Sequence, residues 1–487
     1  MKKSFQLFYC CLLLVITGCS KYLGKEPDNR VSVTTPQKIS QLLGSAYPKA
    51  NYQSFAEMMT DNVTDITEGP LDNRLTDPYF FADSHETQED SPEFYWFRCY
   101  TAIAAANQAL VSIKASPDSA LLSAQKGEAL VARAYSHFML VNFFAKFYND
   151  ATSTSDPGVP YVTEPETVVI KQYDRKTVKY VYDMVENDLI TGLALINDNN
   201  YVQPKYHFNK SAANAFASRF YLYKKDYARV IQYANQSITN NNFAANLRGW
   251  NTTYANISDV NQLQSTYAKA TENANLLLVE TQSLWARNFD NNRYGLDASI
   301  QRILFKRPEP LTGAIWAIKQ YSIGSVHILV PKINEYFVKV SVNADIGDPY
   351  VMVPLFTAEE VLFNRAEAYA YTGNSVAAIA NLNTYASTRF SNYSATTNNI
   401  TAAKINSYYA TSNIRDGLIK AILDYRRTEF VHEGMRWFDI LRYGMPVTHK
   451  VLLGQSSSLI TLTATDNRKV WQIPSSALLS GIALNPR

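Results

Sequence analysis

Apolar residues recur at steps of three and four through most of this chain, the spacing of a helix that buries one face. Leu130, Ala134, Phe138, Val141 and Phe144 make such a stripe in a long helix predicted over 119–147. Its second half is apolar nearly all round, so it is expected to lie buried between neighbours. The same spacing predicts helices over 92–113, 176–196, 209–223, 226–238, 357–371, 375–388, 414–431 and 436–443, with a short one opening at Pro36. Two stretches break the rhythm. Residues 60–92 are irregular and rich in Asp, Asn, Thr, Gly and Pro. Residues 240–355 gain Asn, Thr, Tyr and Gly and are punctuated by Pro308, Pro310, Pro331, Pro349 and Pro354, which predicts a large loop-rich insertion with short strands and a few short helices.

Two of the helix pairs repeat each other. Tyr221-x-Tyr223 followed after seven residues by Ile231 matches Tyr369-x-Tyr371 followed after seven by Ile379. The second copy turns at Gly373; the first has Lys225 there. Small residues on one helix, a tight turn and Ala-Ile on the next describe a tetratricopeptide-like pair, which needs a stacked neighbour to bury its outer face. The expected fold class is therefore mainly α, tetratricopeptide-like helix pairs with scaffold blocks over 93–240 and 357–444 and the irregular insertion over about 241–355.

The N-terminus reads as a targeting segment. Lys2 and Lys3 precede an apolar run over 5–16 that is too short to span a bilayer, and Ile16-Thr17-Gly18-Cys19 resembles the lipobox of bacterial lipoproteins. Residues 1–18 are expected to be removed and the Cys19 thiol acylated, with 19–35 as a polar tether and 36–487 as the folded domain; several acyl chains anchor firmly where one is marginal. Of the four cysteines, only Cys99 then remains in the fold, so no internal disulfide is expected, and its helical surroundings favour a packed thiol. The formal charge of +3 falls to +1 without Lys2 and Lys3, which offers no basic field for nucleic acid.

Enzyme signatures are missing: no Gly-x-Gly-x-x-Gly, phosphate loop, His-Glu-x-x-His or mature Cys-x-x-Cys occurs, and the six histidines include no close pair. No cofactor or metal is implied. The run Arg426–Arg442 is dense in charge within an apolar frame. Paired carboxylates for catalysis are one reading of it. An ion-pair lattice around a Gly434 turn is favoured, because an arginine beside every acid holds carboxyl pKa values below a general acid's range. With 33 Tyr and 13% aromatic residues, the chain has material for a binding face. Sugar C–H faces stack on aromatic rings while hydroxyls bond to polar tips. Most single aromatics serve packing, but Trp250, Trp285 and Trp316, with Tyr321, are candidate ligand contacts, and Asp61 and Arg74 candidate polar partners.

The segment Arg426-Arg427-Thr428-Glu429-Phe430-Val431-His432-Glu433-Gly434-Met435-Arg436-Trp437-Phe438-Asp439-Ile440-Leu441-Arg442 is similar to the C-terminal signature of the SusD/RagB family. Gly127-Glu128-Ala129 with Arg133-Ala134-Tyr135 and Asn142, Arg175 with Tyr182 and Asp188-Leu189, Asn209 with Arg219, Glu359-Glu360 with Arg365-Ala366-Glu367, and the closing Ile473-Pro474 also resemble it, in family order. The resemblance implies four tetratricopeptide-like helix pairs beneath an irregular ligand face, and adds Trp96 to the ligand-contact candidates. It implies a cell-surface, lipid-anchored outer-membrane protein that binds glycan, or in some members peptide, and passes it to a SusC-like TonB-dependent transporter. A glycan-degrading enzyme and a pure protein-interaction scaffold are the rival readings.

Overall fold

The computed structural model describes residues 35–487 apart from 68, 169, 288–291, 325 and 455; residues 1–34, with Cys19 and the expected signal segment and tether, lie outside them. The fold is mainly α. Three short helices, α1 (Pro36–Leu43), α2 (Gln53–Met58) and α3 (Asn73–Tyr79), precede the scaffold. There α4 (Pro92–Ala115) packs on α5 (Ser123–Phe144), α5 on α6 (Val178–Leu193), and α7 (Lys210–Tyr223) on α8 (Tyr227–Ser237). Two smaller helices, α9 (Val260–Tyr267) and α10 (Ala298–Leu304), lie in the insertion. The scaffold resumes with α11 (Ala358–Tyr371) on α12 (Ser375–Arg389), then α13 (Ala402–Tyr408), α14 (Ile414–Glu429) and α15 (Met435–Tyr443).

Local chemistry sets the helix starts. The Ser91 hydroxyl accepts from the Phe94 amide, with Pro92 in the first turn, and Thr177, Asn209 and Thr357 cap α6, α7 and α11 in the same way. The apolar second half of α5 is buried as the pattern predicts. The two repeat turns have one geometry. Lys225 at φ 59° and Gly373 at φ 82° both adopt the left-handed conformation, and the next residue, Asp226 or Asn374, caps the second helix. Gly127 on α5 and Gly192 on α6 meet backbone to backbone. A Cβ on Gly127 would lie 2.7 Å from the Gly192 carbonyl oxygen, and the reverse contact is equally short.

The insertion contributes an antiparallel sheet in which Gly347–Thr357 lies between Asn275–Gln282 and Glu335–Lys339. Pro349 and Pro354, which break the sequence pattern, sit within this central strand, and a register shift opposite Leu277 and Leu278 accommodates Pro354. The strand runs straight into α11 through Thr357, and its Phe356 packs among Tyr135, Phe208 and Phe216. Residues 53–58 and 73–79 form helices in or beside the stretch that reads as irregular, and Val447–Leu453 pairs with Ser456–Leu462 as a hairpin.

Charged residues in the core converge on α11. Glu359 binds Arg248 and Arg389, each at 2.9 Å, and Arg389 also binds Glu429 at 2.9 Å; all four side chains are at most 1% exposed. Glu360 holds Arg219 of α7 at 2.5 Å, and Glu367 holds Arg442 of α15 at 2.6 Å. Burial opposes ionisation of Glu359, but Arg248 and Arg389 outweigh it and hold its carboxyl below the usual range. The run 426–442 is thus an ion-pair lattice, with partners inside and outside it. Arg426 binds Asp439 at 3.0 Å within the run, while Glu429, three residues from Arg426, reaches out of it to Arg389. Gly434 is left-handed (φ 69°) but opens α15 rather than closing α14, and a Cβ there would lie 2.9 Å from the Ala56 Cβ.

Three stability outcomes are expected. Gly192→Val forces α5 and α6 apart and lowers stability by about 3 kcal/mol, the upper end for overpacking; an unchanged urea midpoint would show that the helices do not touch there. Arg389→Met leaves Glu359 and Glu429 buried without their shared cation and destabilises by about 3–5 kcal/mol, read from the same denaturation curve. Lys225→Gly relieves the left-handed turn and raises stability by about 0.5–1 kcal/mol, visible as a higher Tm.

Candidate functional site

The outward side of α4 forms one wall of an open cleft of about 380 Å³. Tyr95, Cys99, Ala102 and Ala106 face the core, while Phe97, Thr101 and Ala104, a turn apart on the other side, line the opening. Trp96 and Tyr100 stand at its base with their rings 5.0 Å apart, and Trp96 meets Phe144 edge-on at 4.9 Å. Only 3% of Trp96 is exposed, against 45% of Phe97.

The opposite wall is the extended segment 160–166, which four side chains staple to the scaffold. Tyr100 donates to the Pro160 carbonyl at 3.0 Å, and Asn107 to those of Val162 and Glu164 at 3.0 and 3.4 Å. Arg133, bound to Asp188 at 2.7 Å, also donates to the Thr163 carbonyl at 3.3 Å. The His137 Nε2 accepts from the Val162 amide at 2.9 Å, and its ring stacks on Tyr161 at 3.8 Å. Burial lowers the His137 pKa to about 3, which keeps the ring neutral and Nε2 available as an acceptor.

The C-terminal segment closes the third side with Ser476, Ala477, Ser480 and Ile482. The Tyr173 amide donates to the Ser480 carbonyl and the Gln172 side chain to that of Leu479, both at 2.9 Å, which pins residues 172–173 to 479–480. Arg175 fixes the same corner by donating to Gly158 O at 2.7 Å, Ala483 O at 2.9 Å and Asn485 Oδ1 at 2.7 Å. The Tyr173 hydroxyl donates to the Glu166 carboxylate; burial first, and then this carboxylate, push its pKa well above the ordinary phenol value, so it stays a donor. Among the described residues the lining holds two carboxylates, Glu164 and Glu166, and no Lys, Arg or His. Flat rings beside hydroxyl and carboxylate acceptors suit a ligand with apolar faces and many O–H or N–H donors. Among the described residues no group of three His, Cys, Asp or Glu side chains is placed to hold a metal ion.

Of the residues singled out from sequence, Trp96 alone lines this cleft. The expectation of a stacking set at Trp250, Trp285 and Trp316 is corrected: they are 0%, 2% and 5% exposed and are core residues. Trp250 packs on Tyr254 at 4.8 Å, Trp316 on Phe390 at 4.4 Å, and the Trp285 indole donates to the His432 carbonyl at 3.2 Å. Tyr321 is half-buried on a short hairpin and packs against the core. Arg74 is engaged by Asp72 at 2.7 Å and Glu89 at 3.4 Å, and Asp61 bridges Arg427 at 3.3 Å and Arg436 at 2.9 Å. These two polar candidates are held by ion pairs and do not meet the tryptophans around an opening. The sequence reading missed Phe97, Tyr173, Glu164 and Glu166. An apolar Phe97 on the otherwise small and polar outer stripe of α4 was the one available signal.

Comparison with known proteins agrees with this architecture. A family model described as starch-binding associating with outer membrane matches residues 21–222, and the SusD family model matches 353–478. A SusD superfamily protein from Bacteroides thetaiotaomicron superimposes with a TM-score of 0.66 at 20% identity, covering 93% of this chain and all of that one. A SusD-like carbohydrate binding protein from Bacteroides vulgatus gives 0.65 at 16% identity over 92% and 96% of the two chains. A laminarin binding SusD-like protein gives 0.57 at 17% over 92% and 99%. No curated protein matches the chain by sequence. The two family models, one matching 21–222 and the other 353–478, place the chain in the SusD/RagB family, and the solved structures share its fold over nearly the full length.

Proposed function

We propose that this protein is a lipid-anchored outer-membrane protein that binds an oligo- or polysaccharide in the α4 cleft and passes it to a SusC-like TonB-dependent transporter without catalysing a reaction. One observation carries the reading: exposed Phe97 and half-buried Tyr100 and Tyr173, with buried Trp96 behind them, line an open cleft whose walls are pinned to the helical scaffold. Family membership and the carbohydrate- and laminarin-binding neighbours support a glycan as the ligand. Cys19 carries the acyl chains in this reading, and 19–35 tethers α1, whose cap is Thr35. No helix among the described residues is long and apolar enough to cross a membrane, which is compatible with such an anchor.

The test is a binding screen of the purified protein on a glycan and peptide panel. Phe97→Ala and Tyr173→Ala are each expected to weaken a confirmed glycan by roughly 2- to 12-fold, equivalent to about 0.5–1.5 kcal/mol per lost ring contact. Unaltered affinity in both variants would falsify the cleft assignment. A panel bound only through peptides would replace glycan with peptide, and turnover of a bound glycan would restore the enzyme reading. Cys19→Ala is expected to shift the protein from the membrane fraction to the soluble fraction and abolish labelling by palmitate.

A further inference from the structure

The cleft is electrostatically one-sided. Glu164 and Glu166 stand in its lining, both exposed, and no basic side chain faces them across it. The basic groups nearby are committed elsewhere. Arg133 is buried on Asp188, Arg175 binds backbone carbonyls and Asn485, and Lys171 lies 5.4 Å from the Tyr173 ring outside the lining. Glu166 accepts from the Tyr173 hydroxyl, whereas the Glu164 carboxylate has no protein partner among the described residues. What remains for a ligand's polar groups is two carboxylates, which only accept, and the hydroxyls of Ser476 and Ser480, which accept or donate; the Thr101 hydroxyl already donates to the Phe97 carbonyl at 2.9 Å.

Resting on the glycan reading above, we infer that the cleft selects by charge: it takes uncharged or amine-bearing glycans and rejects those carrying uronate or sulfate. A sugar hydroxyl donates to a carboxylate, and an ammonium does so with added Coulomb attraction. An anionic sugar substituent set over the same rings meets two like charges and no cationic N–H donor in the lining to offset them. Glu164, in the lining and without a side-chain partner among the described residues, is the group that would receive an amine.

The experiment holds ring and linkage constant while charge varies. Cello-oligosaccharides, deacetylated chito-oligosaccharides and oxidised cellouronate oligomers, with neutral, amino and uronate members of other linkages on the same array, are titrated against the full chain in detergent. Glycans whose affinity depends on Phe97 are expected to be neutral or amino, with uronate counterparts at least 10-fold weaker. Glu164→Gln/Glu166→Gln is expected to narrow that gap several-fold and to weaken amino glycans, whose affinity also falls as NaCl rises from 50 to 500 mM while neutral binding does not change. Uronates that bind as well as neutral chains in a Phe97-dependent way, or a gap that survives the double substitution, overturn charge selection and leave glycan binding intact. Absence of any glycan binding overturns both readings.

Discussion

The structure depends on burying three carboxylates on one helix without leaving any of them unpaired. Glu359, Glu360 and Glu367 of α11 each meet an arginine from a different part of the chain: Arg248 and Arg389 on the first, Arg219 on the second, Arg442 on the third. Desolvating a charge is expensive, and only close hydrogen-bonded pairing offsets it. The insertion's Arg248, the repeat pair's Arg219 and the C-terminal Arg442 therefore have one permitted position each relative to α11. The helix fixes where the rest of the scaffold goes more sharply than apolar contact could, because apolar contact is non-directional.

The cleft inherits this rigidity through smaller versions of the same device. Arg133 is locked on Asp188 and then reaches the 160–166 wall, and a neutral His137 accepts from that wall's Val162 amide. A segment without regular secondary structure is thereby held as firmly as a strand. The aromatic groups of α4 and Tyr173 are held in place by the protein itself, which reduces the ordering that binding would otherwise require.

Helix positions were legible from the chain because each depends on local spacing and capping. Ser91, Thr177, Asn209 and Asn374 announce their helices, and the shared turn at Lys225 and Gly373 shows as a repeat. The sheet was not legible. Pro349 and Pro354 mimic a loop, and only pairing with strands at 275–282 and 335–339 gives their segment its form. The ion-pair character of the 426–442 run could be read from its composition. Its partners at Arg389, Glu367 and Asp61 could not, since they lie up to several hundred residues away.

The sequence by itself determined the helical scaffold, its repeat turn and the family signature, all set by neighbours within a few residues. Tertiary structure decided which rings face solvent. Trp250, Trp285 and Trp316 sit in loop-like context yet are covered by elements distant in the chain. Phe97 stays open because nothing among the described residues packs over the outer stripe of α4 there, and its companions come from residues 160–173 and 476–482. Burial depends on what folds over a residue, and that information is spread across the whole chain.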